Sequence, residues 1–81
     1  MSEDIAARVK KVTADVLKIN ESEIQGSSRF MEDLGAASIQ SIELSAAFED
    51  EFDIDMDDEQ AMGIKTIDGA VKYISELLAG S

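Results

Sequence analysis

Apolar positions recur at helical intervals near both ends of the chain. Ile5, Val9, Val12 and Val16 follow i, i+4, i+7, i+11 spacing, with Leu17 widening the stripe, and predict an amphipathic helix over 3–18. Ser2 suits its N-cap, Glu3 and Asp4 suit the positive end of the helix dipole, and Lys18 suits the negative end. Ile67, Val71, Ile74 and Leu78 repeat that spacing, with Ala70 and Leu77 beside them. Thr66 is placed to cap this last helix, Asp68 lies in its first turn, and Gly80 ends it. A second helix is expected from Ser38 to about Phe52, and a short one over 57–62, DDEQAM, closed by Gly63. The stretch 19–37 is rich in Asn, Ser, Glu and Gly. Ile19, Ile24, Phe30, Met31 and Leu34 are its expected anchors onto the core, and Gly35 permits a turn that a side chain would oppose. The expected fold is all-α: a small bundle of three main helices plus one short helix, with a long loop between the first two, forming a single domain over 1–81.

The second helix carries two apolar faces. Leu44, Phe48 and Phe52 align at i, i+4, i+8 and form the expected core face, whereas Ile39, Ile42 and Ala46 fall nearly opposite. A helix in a small bundle buries one stripe, so the other stays near the surface unless the short helix or the long loop covers it. Glu43, Glu49, Asp50 and Asp53 surround this second strip. An apolar strip ringed by carboxylates suits transient docking, with nonpolar contact for affinity and charge for orientation. Ser41 and Ser45 project near the core stripe. Such hydroxyls ordinarily bond back to the carbonyl four residues earlier; otherwise they line an interior loose enough to admit a guest.

Charge sharpens this picture. The formal net charge is −11, and from Phe30 to Ile64 there are eleven acids and no Lys or Arg, while the rest of the chain is balanced. Such a field repels nucleic acid and anionic membrane and favours partners with a basic patch; solubility is its plainer explanation. No apolar run approaches the length of a bilayer span, so a cytoplasmic monomer is expected. Reading Asp53, Asp55 and Asp57 as an EF-hand loop fails, because Asp58 falls where glycine is required and Ile64 where the bidentate Glu belongs. With no Cys and no His, the chain lacks the usual nucleophile and the usual neutral-pH base, and no enzymatic activity of its own is expected.

Ser38 alone reads as a helix cap. Its context says more. DLGAAS-I (33–39), IEL (42–44), FEDEFDIDM (48–56), DDEQA (57–61) and AVKYI (70–74) resemble the acyl carrier protein family, whose typical run is Asp-Leu-Gly-Ala-Asp-Ser-Leu, then Val-Glu-Leu and Glu-Glu-Phe. The likeness spans nearly the whole chain. It implies that Ser38 carries covalent 4′-phosphopantetheine, whose thiol holds acyl or related carboxylic groups as thioesters for delivery in fatty-acid, lipid or polyketide-type biosynthesis. It implies a phosphopantetheinyl transferase and acyl-transferring or synthase enzymes with basic docking patches as partners. It also implies partner recognition through Ile39, Ile42, Glu43, Ala46, Glu49 and Asp50, and an acyl pocket near Leu44, Ser45, Phe48 and Ile64. A helix N-terminus is a fitting seat for a phosphate. Two departures stand out: Ala37 replaces the family's Asp before the serine, and Ala46 stands where a larger apolar residue is common. Together they point to a specialised carrier for a dedicated pathway. The competing reading, favoured by Ala37, is an unmodified acidic adaptor with the same bundle that docks basic partners.

Overall fold

The helical periodicities translate into four helices in a computed structural model that describes residues 5–80: α1 (Ile5–Leu17), α2 (Ser38–Phe52), α3 (Asp58–Met62) and α4 (Ile67–Gly80), with one 3-10 turn at Glu21–Glu23. Ser2, Glu3 and Asp4, expected to start the first helix, lie outside the described residues. α1 packs against both α2 and α4. Its Val9 and Val12 are buried as expected, and so is Thr13, whose hydroxyl donates to the Val9 carbonyl (2.8 Å). That bond lets a polar residue occupy a core position without an unpaired group. Lys18 ends α1 in the left-handed conformation (φ 59°).

In α4, Ile67, Ala70 and Ile74 are fully buried, while Val71 and Leu77 are partly covered. Leu78 departs from the expected stripe, being 40% exposed, because the last turn of α4 runs past the packed part of the bundle. Thr66 caps the helix, its hydroxyl accepting the Gly69 N–H (3.1 Å). α2 buries Leu44, Phe48 and Phe52. At its far end Arg8 of α1 donates to the Glu51 carboxylate (2.8 Å) and carbonyl (2.7 Å), with its guanidinium 4.4 Å from the centre of the Phe52 ring.

The long loop is docked rather than free. The Phe30 N–H donates to the Lys65 carbonyl (2.9 Å), Ile67 N–H to Ser28 (3.1 Å) and Asp68 N–H to Gly26 (2.9 Å), pairing the loop with the start of α4. At Gly26 a Cβ would lie 2.5 Å from the Asp68 carboxylate, an exposed side-chain end that would have to swing aside to admit it. Ile24 and Phe30 are buried, with Ile19 and Leu34 packed beside them. Met31, expected as a fifth anchor, is instead exposed: residues 30–33 form a turn closed on the Arg29 carbonyl, and with the Phe30 N–H held by the Lys65 carbonyl, Phe30 is buried and Met31 is left on the outside.

Candidate functional site

The segment leading to Ser38 is a closed loop. The Arg29 carbonyl accepts the Asp33 and Leu34 N–H groups (2.9 and 3.0 Å), and the Arg29 N–H donates to the Asp33 carboxylate (2.8 Å). The Arg29 guanidinium reaches Asp33 (3.2 Å) and Glu32 (3.0 Å). Hydrogen bonds from the Arg29 side chain and backbone hold the Asp33 carboxyl below its ordinary pKa, and Asp33 raises Arg29 in return. Gly35 turns the chain at φ +75°, and Ala36 is buried with its N–H on the Phe30 carbonyl (2.8 Å). Ala36 was missed in the pattern of loop anchors because an isolated alanine carries no periodic signal.

α2 then begins. Ser38 is its first residue, not its cap; the cap position belongs to Ala37, in extended backbone. The Ala37 N–H donates to the Gln40 side-chain oxygen (2.9 Å), and its carbonyl accepts the N–H of Gln40 (2.9 Å) and of Ser41 (3.2 Å). Alanine has no side-chain acceptor, so the reciprocal half of a capping box is missing and no capping side chain occupies the amide donors of the first turn. The positive end of the α2 dipole is thus presented where Ser38 enters the helix.

The second apolar strip of α2 lies open. Ile39 and Ile42 are 66% and 71% exposed, and Glu43, Ala46 and Asp50 are exposed alongside them. The long loop and α3 flank this strip without covering it. Each adds an exposed methionine, Met31 and the 77% exposed Met62, that the sequence pattern did not assign to the face. A groove of about 680 Å³ runs between Met31, Ile42 and Met62, with Arg29 and Lys65 among its walls. A shallower one of about 310 Å³ lies along Ile42, Ala46 and Met62. Glu49 differs from its neighbours: it is half-buried, and its carboxylate accepts the Met56 N–H (2.8 Å), tying the segment after α2 back to the helix.

Leu44, Ser45, Phe48 and Ile64 come together on the wall of one cavity, joined by Met56 and Ala61 among others. Its volume is about 30 Å³, room for no more than about two water molecules. Ser41 also lines it. The expected back-bonding fails here: among the described residues neither the Ser41 nor the Ser45 hydroxyl takes part in a hydrogen bond, in contrast to Thr13. α3 closes one side of the cavity. Its cap is Asp57, whose carboxylate accepts the Glu59 N–H (3.0 Å) and whose own N–H donates to the Tyr73 hydroxyl (3.2 Å).

Among the described residues the acids form no cluster able to hold a metal ion, and no helix is long and apolar enough to cross a membrane. A family model described as a phosphopantetheine attachment site matches residues 7–74, which take in most of α1, the whole candidate site and the first part of α4.

Proposed function

We propose, because this chain belongs to the phosphopantetheine-attachment family, that its covalent 4′-phosphopantetheine is carried on Ser38 and that it holds acyl or related carboxylic groups for delivery to partner enzymes. The observation that carries this reading is the position of Ser38 as the first residue of a fifteen-residue helix whose cap residue has no side-chain acceptor. First-turn amide donors and the positive helix end fit a phosphodiester at that point. When attached, the group supplies the thiol on which cargo rides as a thioester. The protein's own part is to present and to shelter. The closed loop 29–36 holds the approach to Ser38, Leu44, Ser45, Phe48 and Ile64 offer the cargo a cavity, and the helix face offers partners a landing surface.

That surface comprises Ile39, Ile42, Glu43, Ala46 and Asp50, extended by Met31 and Met62. It suits enzymes presenting an apolar residue amid basic side chains, first among them a phosphopantetheinyl transferase. Glu49 belongs to this face as well, lining the smaller groove beside Ile42 and Ala46 while its carboxylate fixes the chain at Met56. Ala37 and Ala46 favour a dedicated pathway over bulk fatty-acid synthesis, since the first removes a carboxylate beside Ser38 and the second makes the strip shallower.

Intact-mass measurement after incubation with coenzyme A and a broad-specificity transferase tests the assignment. One phosphopantetheine is expected on the wild type and none on Ser38→Ala. An addition that survives Ser38→Ala would overturn it.

A further inference from the structure

We propose that Ser41 and Ser45 are specificity-determining residues that select an oxygenated acyl cargo, with an oxo or hydroxyl group within the first few carbons, over a plain saturated chain. This rests on attachment at Ser38. Residues 38, 41 and 45 are spaced i, i+3, i+7, so their backbone positions share one face of α2, and the two hydroxyls stand about one and two turns beyond the attachment point. Ser41 and Ala61 line the small cavity and both outer grooves, which places the mouth between them. Ser45, one turn further along α2, lines the cavity and the smaller groove. Cargo passing from Ser38 into the cavity meets Ser41 first and Ser45 second.

The remainder of the cavity wall is apolar, with Phe30, Leu44, Phe48, Met56 and Ile64. A hydroxyl at such a wall would ordinarily satisfy itself on the preceding turn, as Thr13 does on Val9. Ser41 and Ser45 leave that option unused. At about 30 Å³ the cavity must widen to take any chain. Filling it with methylenes alone would cut both hydroxyls off from water and leave them unpaired, which opposes entry. A cargo oxygen meets them with a hydrogen bond, so the same burial proceeds without that penalty. Discrimination of this kind, in which a site built with polar groups rejects the analogue lacking the matching group, is the stronger direction of molecular selection.

Octanoyl and 3-oxooctanoyl arms, transferred from the corresponding coenzyme A derivatives and checked by intact mass, provide the test. The 3-oxooctanoyl protein should melt about 4 °C or more above the octanoyl protein, and the Ser41→Ala/Ser45→Ala double variant should erase that gap. Alanine is the better helix former, so the double variant keeps its fold. Equal melting of the two wild-type forms, as a bridging water left in place would give, or a gap that persists in the double variant, overturns the proposal. The same chains as free N-acetylcysteamine thioesters, titrated into the unmodified protein, decide it independently of attachment. The Ser45 and Ala61 amides should shift with the 3-oxo compound and not with the saturated one, and equal shifts overturn it. Failure to add mass at Ser38 overturns the attachment reading alone.

Discussion

The two sides of α2 have opposite characters. Toward α1 and α4, the packing is tight: Val9, Thr13, Ile67, Ala70 and Ile74 are wholly removed from water, and the one hydroxyl among them is bonded. Toward α3 and the long loop, isoleucines and methionines stand in solvent, a cavity remains between helices, and the half-exposed Ser41 and Ser45 hydroxyls take part in no hydrogen bond among the described residues. Both sides are built from the same kinds of residue, so composition does not separate them. The difference lies in what faces them. A thirteen-residue helix packs one side of α2, and a five-residue helix with few apolar side chains only flanks the other. The buried contacts are concentrated in the first half, and the second is the half to which the proposed attachment, cargo and partner roles are assigned.

Truncation on either side measures this contrast most directly. Ile74→Ala should cost about 2–5 kcal/mol in urea unfolding, since it leaves a void in the closed half. Ile42→Ala should change stability by no more than about 0.5 kcal/mol, its effect appearing instead as weaker transferase binding. Comparable losses from both would dissolve the distinction.

The ends of the two long helices offer a finer comparison. Lys18 and Asp53 both adopt left-handed backbone, with φ of 59° and 55°. Glycine at Lys18 should stabilise by about 1 kcal/mol, and at Asp53 by roughly half as much, because aspartate tolerates that conformation better than lysine. The rank order of the two unfolding midpoints checks this.

The smallest effect belongs to the loop before Ser38. Asp33 has a depressed folded-state pKa because Arg29 bonds its charged form. Its contribution is therefore complete above the ordinary carboxyl value of 3.8 and disappears as pH falls through the lower folded value. In Asp33→Asn the stability profile should lose that acid-side component and match the wild type at the acid limit. Both partners are exposed, so the difference at neutral pH should be slight.

Much of the architecture was legible in the chain. The bounds of α2, the Thr66 cap, the short α3 closed by Gly63, and the two opposed faces of α2 all follow from a 3.6-residue period and from capping contacts within three residues of a helix end. The loop resisted the same reading. Met31 and Phe30 are adjacent and both apolar, yet one is exposed and the other buried, because a hydrogen bond to Lys65, far along the chain, orients that backbone. Ser38 was correctly placed at the start of α2 but one position off as a cap, since Gln40 takes the Ala37 amide from inside the helix.

By itself, then, the order of residues determined the helices, their caps, the concentration of negative charge over 30–64 and the serine that opens α2. Only the tertiary structure decided that Thr13 is fully buried while Ser41 and Ser45 keep contact with solvent, that Glu49 lines the smaller groove and also holds the Met56 N–H, and that the cavity measures only about 30 Å³. Helix formation and capping are settled by neighbours a turn away. Burial, cavities and the choice among competing hydrogen-bond partners depend on segments brought together from across the chain.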